Sequence, residues 1–272
     1  MTLQTEYRRI DPVSPPAAYI GGKRQLAKRL CAKIEATPHA LYAEPFVGMG
    51  GVFFRRTSAP RAEFINDRSR DVTNLFRILQ RHYPQLMDTL RFQITSRADF
   101  DRLTSTDPDT LTDLERAARF LYLQRLTFGG KVAGRSFGIN YSGSSRFNLT
   151  SLAAVLQDVH ERLASVVIEN LNWPDFIDRY DRPETLFYLD PPYWGTEDSY
   201  GKEMFSRDQF EVLAERLSHI KGHFIFSIND VPEIRSIFSA FDIEDVSLTY
   251  SVAGGKGKPV RELIISGGKS SN

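Results

Sequence analysis

The chain has little cysteine, no long apolar run and almost no net charge. Its one cysteine, Cys31, cannot form an internal disulfide and excludes a zinc site built wholly of cysteines. No run approaches the ~18 apolar residues that a membrane span needs. The opening residues, MTLQTEYRRIDPVSPP, lack an apolar core, so no signal peptide is expected and a reducing cytoplasm fits. Lys and Arg number 35 against 34 Asp and Glu, a net charge of +1. That balance excludes a chain that coats nucleic acid by charge alone, yet it permits a local basic face. The five histidines show no ligand cluster, so no metal is expected.

What is present is ordinary for a core-forming protein: 272 residues, 41% hydrophobic and 25% charged, more than one average domain. Strand-like runs lie at Leu41–Phe46, Glu63–Asp67, Val166–Asn172, Leu186–Asp190, His223–Asn229, Ile243–Tyr250 and Val260–Ser266. Amphipathic runs lie at Gly22–Ala36, at Ser206–Ile220 and at Val231–Phe241. Ser206 and Gln209 have the spacing of a capping box. Alternating strands and helices predict an α/β fold, a largely parallel sheet covered on both faces. Residues 70–160 break the alternation. They are mainly helical in pattern, with a Gly/Ser/aromatic loop from Phe128 to Phe147, and read as an inserted second domain. The remaining sequence divides into 1–69 and 161–266, one discontinuous domain, and a flexible tail at 267–272. Residues 1–17 also look loose.

Charge is unevenly spread. Six basic residues and no acidic one lie between Arg116 and Gln157, whereas eleven acidic and four basic lie between Asp175 and Glu215. One-sign stretches are commonly solvated faces, but a basic insertion beside an acidic half also suits an enzyme of nucleic acid.

Three segments carry chemistry. Ala43-Glu44-Pro45-Phe46-Val47-Gly48-Met49-Gly50-Gly51 follows a strand; its glycines let backbone amides approach a ligand, although a tight turn would use them too. It lacks the third glycine of a dinucleotide fingerprint. Asp67 ends the next strand, about 20 residues on, where a carboxylate can accept from ribose hydroxyls or cap a helix. Leu186-Phe187-Tyr188-Leu189-Asp190-Pro191-Pro192-Tyr193 ends a buried strand in a carboxylate, two prolines and an aromatic. Proline removes backbone donors and leaves carbonyls free, so Asp190 and the Pro191 carbonyl make two acceptors suited to an exocyclic amine, with the Tyr193 ring beside them.

With these motifs the chain resembles the DNA adenine methylase (Dam-like) family of S-adenosylmethionine-dependent N6-adenine methyltransferases. Asp-Pro-Pro-Tyr at 190–193 matches its catalytic motif, Glu-Pro-Phe-Val-Gly-Met-Gly at 44–50 its cofactor loop, and Tyr19-Ile20-Gly21-Gly22-Lys23 its N-terminal motif. Their order looks like the α-class, and the loop after Tyr193 is similar to that of phage and prophage members. The resemblance implies a seven-stranded Rossmann-like methyltransferase sheet with a helical DNA-recognition insertion. It implies S-adenosyl-L-methionine held by Tyr19, Gly22, Lys23, Glu44, Pro45, Phe46, Gly48, Gly50 and Asp67, with Trp173 near its adenine and Asp190 between cofactor and base. Lys23 is expected near the cofactor's carboxylate. The catalytic set is Asp190, Pro191, Pro192 and Tyr193. A flipped adenine in double-stranded DNA is the implied substrate. Arg125, Lys131, Arg135 and Arg146 are candidates for DNA contact and Asn140 and Tyr141 for wedging beside the flipped base. A monomer is expected.

Two features bear on rival readings within methyl transfer. Cys31 follows no proline and lies on a helix face, which disfavours cytosine C5 methylation through a cysteine nucleophile. Methyltransferases of RNA adenine, cytosine N4 or glutamine usually begin the corresponding motif with Asn or Ser. Outside methyl transfer, intact Asp190, Tyr193, Gly48 and Asp67 argue against a DNA-binding module without catalysis. The missing third glycine argues against a nucleotide-dependent oxidoreductase.

Overall fold

The computed structural model describes residues 7–139, 143, 145–196, 205–250 and 258–268. Seven strands form one sheet: β2 (Leu41–Glu44), β4 (Ala62–Asn66), β5 (Val167–Glu169), β6 (Thr185–Leu189), β7 (His223–Asn229), β8 (Asp242–Tyr250) and β9 (Lys258–Gly268), in the order β5-β4-β2-β6-β7-β9-β8. Pairs from β5 through to β7 are parallel; β9 runs antiparallel to both β7 and β8. From β2 the chain builds outward to β4 and β5, then returns to place β6 and β7 on the other side. The strand order therefore reverses between β2 and β6, and the carboxyl ends of that pair flank the crevice where open α/β sheets bind ligands.

Alternate residues of the strands feed two separate cores, as a pleat with period two requires. Tyr42, Tyr188, Ile225 and Ile264 face one side, where they meet α1 (Ala27–Ala36) through Leu30 and Ile34. Ala43, Phe187, Leu189, Phe226 and Ile265 face the other, against α7 (Trp173–Tyr180), α8 (Gln209–Ser218) and α9 (Pro232–Ile237). Each buried Leu, Ile or Phe contributes about 1.5–3 kcal/mol. All seven expected strand runs are strands, and fold class is α/β as read from alternation.

The helices of the interrupting stretch are α2 (Arg70–Arg81), α3 (Tyr83–Leu90), α4 (Arg97–Ser105), α5 (Asp113–Leu126) and α6 (Leu149–Leu163). Local signals start them: Ser96 and Asn148 accept amide protons as N-caps, and Thr112 with Glu115 closes a full capping box. Phe76, Phe120 and Leu156 of this group belong to the same buried cluster as Tyr42 and Ile65 of the sheet, so apolar packing is continuous across residue 70. A buried ion cluster joins the two parts. Glu63 of β4 accepts from Arg56 at 2.6 Å and from both terminal nitrogens of Arg162 of α6 at 2.7 Å, and all three side chains are buried. The Arg56 and Arg162 guanidiniums lie over the rings of Tyr42 and Phe53 at 3.7 and 4.1 Å.

Four sequence expectations need correction. Residues 7–17 are not loose: β1 (Arg8–Arg9) pairs with β3 (Ser58–Ala59), and Pro16 and Ala17 are buried. A tail beginning at 267 is too early, because Gly267 and Gly268 pair with Phe224 and His223 in the sheet; residues 269–272 lie outside the described ones. The first helix begins at Ala27 rather than Gly22, since the Gly21–Gly22 turn holds the motif before it. The Ser206–Gln209 capping box does not form: Asp208 occupies the cap, and the Gln209 Oε1 accepts instead from Trp173 Nε1 at 2.8 Å.

Candidate active site

A cavity of about 960 Å³ opens at the carboxyl ends of β2 and β6. Of the residues expected to bind cofactor, Tyr19, Gly22, Lys23, Pro45, Phe46, Gly48, Asp67, Trp173 and Asp190 line it, together with Pro192. Segments remote in sequence supply them: the turn before α1, the loop after β2, the ends of β4 and β6, and the start of α7.

The glycine loop is folded back on itself. The Gly48 amide donates to Asp67 Oδ2 at 2.9 Å and the Ser69 amide to Oδ1 at 2.8 Å, so Asp67 ties the loop to the next strand. Gly48 has φ +50°, and a Cβ there would lie 3.0 Å from the Tyr19 ring, which closes over it. Asn66 braces the same corner by donating to the Pro45 carbonyl at 2.9 Å. Burial pushes the Asp67 carboxyl up to about 6, against the two amide hydrogen bonds. Phe46 and Trp173 stand 6.4 Å apart as aromatic walls.

Asp190 is held differently. Lys23, itself buried, places Nζ 2.7 Å from Asp190 Oδ1 and donates to the Tyr193 hydroxyl at 2.6 Å. Ser227 of β7 donates to the same oxygen at 3.4 Å. Burial raises the Asp190 carboxyl to about 6; Lys23 opposes that shift and Glu262 adds to it. The Asp190 side chain keeps 21% exposure, toward the cavity. The turn that follows is pinned by reciprocal bonds between Trp194 and Asn229, at 2.9 and 3.1 Å.

Not every expected residue reaches the cavity wall. Glu44 lies beneath it, buried, accepting from the Tyr42 hydroxyl, with its carboxyl raised to about 8 by desolvation. At Gly50, φ +72°, a Cβ would strike the Phe54 ring at 2.3 Å, so its demand is packing. Pro191 and Tyr193 also stand off the wall; the Tyr193 hydroxyl is engaged by Lys23 and by Glu262 at 2.7 Å. Lys23 lines the wall, but its bonds in this structure run to Asp190, Tyr193 and the Gly21 carbonyl. Sequence reading missed Glu262, Ser227 and Gln209. Glu262 carries no local signal, being one polar residue in an alternating strand.

The DNA candidates occupy varied settings. Arg125 lines the cavity and donates to the carbonyls of Arg146 and Pro16 at 3.1 and 3.4 Å. Arg146 donates to the Thr127 carbonyl at 3.4 Å. Arg135 is half-buried, its guanidinium 5.8 Å from the Phe120 ring centre, and its Nε and Nη2 have no hydrogen-bond partner among the described residues. Lys131 is exposed. Asn140 and Tyr141 lie outside the described residues. Among the described residues, no three His, Cys, Asp or Glu side chains are grouped to hold a metal, and no helix is long and apolar enough to cross a membrane.

Strand order and a ligand-sized cavity at the switch point define a Rossmann-like α/β protein with its binding crevice at the carboxyl ends of the strands. The model of the D12 class N6 adenine-specific DNA methyltransferases matches residues 19–252. The chain belongs to that family, and its reaction is S-adenosylmethionine-dependent methylation of adenine N6 in DNA. It is 25% identical to the type II methyltransferase M1.LlaDCHI of Lactococcus lactis subsp. cremoris, covering 93% of this chain and 94% of that one. It is 20% identical to the type II methyltransferase M.CviBI of Paramecium bursaria Chlorella virus NC1A, over 84% and 88%. It is 26% identical to the retron Ec67 DNA adenine methylase of Escherichia coli, over 92% and 90%.

Proposed function

We propose that the cavity binds S-adenosyl-L-methionine beside a flipped adenine of double-stranded DNA, and that Asp190 with the Pro191 carbonyl accepts the two N–H bonds of the base's amino group. The observation that carries this reading is Asp190 itself, a partly exposed carboxylate at the switch point, steadied by a buried lysine and facing the cavity.

The residues present fit that cofactor. Asp67 offers lone pairs beside those used by Gly48 and Ser69, suited to a ribose diol. Phe46 and Trp173 suit the faces of its adenine, and the bare backbone at Gly48 lets the Tyr19 ring pack directly on the loop. When bound, S-adenosylmethionine supplies an electrophilic methyl on a positively charged sulfonium. The protein's part is acceptance and orientation. An adenine amino group is a weak nucleophile because its lone pair is delocalised into the ring. Two acceptors aimed at its hydrogens favour a pyramidal nitrogen and turn the lone pair toward the methyl group. The carboxylate charge also stabilises the cation that develops on the nitrogen.

Residues 70–160 serve as the target-reading unit and 1–69 with 161–268 as the catalytic one, with Lys131, Arg135 and Arg146 toward the DNA and Arg125 between the two. The enzyme acts as a cytoplasmic monomer. Asp190→Ala is expected to lower the methylation rate on the order of 10³-fold or more while gel-shift affinity for DNA is retained. Full activity in that variant would refute the assignment.

A further inference from the structure

The motifs leave one buried acid without a role. Glu262 lies in the middle of β9, fully buried, opposite Asn229 of β7 on one side and Val246 of β8 on the other. A carboxylate taken out of water there is costly unless it is held by a donor. Its Oε1 accepts the Tyr193 hydroxyl proton at 2.7 Å. The same hydroxyl oxygen accepts from Lys23 Nζ at 2.6 Å, and Lys23 Nζ stands 2.7 Å from Asp190 Oδ1. One line of contacts thus runs from the antiparallel strand to the acceptor carboxylate. Glu262 is absent from the cavity wall, so it acts only through its neighbours.

A lysine is a flexible stem with three donors, and nothing in its own chemistry fixes where the ammonium rests. Here Asp190, the Tyr193 hydroxyl and the Gly21 carbonyl take its bonds. The Tyr193 hydroxyl can accept from Lys23 in a fixed direction only because its own proton is committed to Glu262. We propose that Glu262 is a positioning residue for methyl transfer: through the Tyr193 hydroxyl it holds Lys23 against Asp190 and so sets where the acceptor carboxylate points. This rests on the assignment of Asp190 as acceptor.

Among the described residues, the charges near Asp190 are Lys23 from the N-terminal motif, Glu44 from β2 and Glu262 from β9, and the Tyr188, Tyr193 and Ser227 hydroxyls lie beside it. Negative charge on Glu262 favours the protonated form of Asp190 and Lys23 disfavours it. Removing the Glu262 charge while keeping an acceptor therefore moves the acid limb of kcat to lower pH.

The experiment is steady-state methylation of duplex DNA by Glu262→Ala and Glu262→Gln across pH 5 to 9, with thermal melts of both. Glu262→Ala is expected to lose about 100-fold in kcat, with KM for S-adenosylmethionine changed by less than about threefold. Glu262→Gln keeps an acceptor for Tyr193; it is expected to recover most of kcat at pH 8 and to show the displaced acid limb. A folded Glu262→Ala with unchanged kcat overturns the proposal, and so does a Glu262→Gln whose acid limb stays in place. Should Glu262→Ala fail to fold, the Glu262→Gln profile decides alone. Activity in Asp190→Ala would instead refute the acceptor assignment, whereas an inactive Asp190→Ala beside unaffected Glu262 variants refutes only the role of Glu262.

Discussion

Asp190 and Asp67 share a carboxyl raised to about 6, from the same cause, burial, but with different opponents: an ammonium for one, two backbone amides for the other. Only the ionised form of each accepts hydrogen bonds at every lone pair. Activity is therefore expected to be full above about pH 7, half-maximal near pH 6 and to fall about tenfold per pH unit well below it. The two groups separate by parameter: the limb in kcat belongs to Asp190 and the limb in cofactor affinity to Asp67. In Asp67→Asn, calorimetric titration with S-adenosylmethionine should show weaker binding without the acid limb, while the limb in kcat persists. Stability runs the opposite way. Both folded values lie above the ordinary 3.8, so the folded state holds these protons more tightly than the unfolded one. Their contribution is present at low pH and is lost as pH rises through about 6, the range in which activity appears.

At the scale of elements, the contact between α6 and the sheet turns on three charges. Removing Arg162 leaves Glu63 buried with one guanidinium where it had two. Arg162→Met is expected to cost about 3 kcal/mol in urea unfolding, since breaking a buried ion cluster strands the remaining charge. A loss below about 0.5 kcal/mol would mean that the helix is held by its apolar face alone. None of this was legible beforehand. Arg56, Glu63 and Arg162 read in sequence like any surface charges, because burial of a charge leaves no periodic trace. The seven strands were legible, since period-two apolar alternation is the direct imprint of a two-faced core. The β1–β3 ribbon was not, being two residues long on each side. Of the motif residues, Gly48, Asp67 and Asp190 could be read as cavity-lining because glycine and strand-end aspartates do there what few other residues can, whereas Glu44, Gly50, Pro191 and Tyr193 stand off the wall. Glu262 escaped because its meaning lies in Tyr193, 69 positions away.

Across the whole molecule, the near-zero net charge averages a basic stretch with an acidic one. Of the basic candidates, Lys131 is exposed, while Arg125 and Arg146 are partly spent on backbone carbonyls. Lys131→Gln should weaken DNA binding evenly across sequences and reduce the slope of log affinity against log salt by about one. An unchanged slope in fluorescence titrations would assign Lys131 to a solvated face. The N-terminal motif and the helical stretch are laced together: Gln124 donates to the Ala18 and Gly130 carbonyls at 2.9 and 2.6 Å, and the Ile20 amide to Gly130 at 2.9 Å. The sheet is closed by an element that comes late. β9 follows β8 in the chain yet lies between β7 and β8. During synthesis, both neighbours leave the ribosome before the strand that joins them. Until β9 arrives, β7 presents an open edge, a template for pairing with other chains. A nascent chain at that stage already carries its glycine loop and Asp190, but not the strand that reaches Tyr193. The bond between Tyr193 and Glu262 can thus form only once β9 has been made.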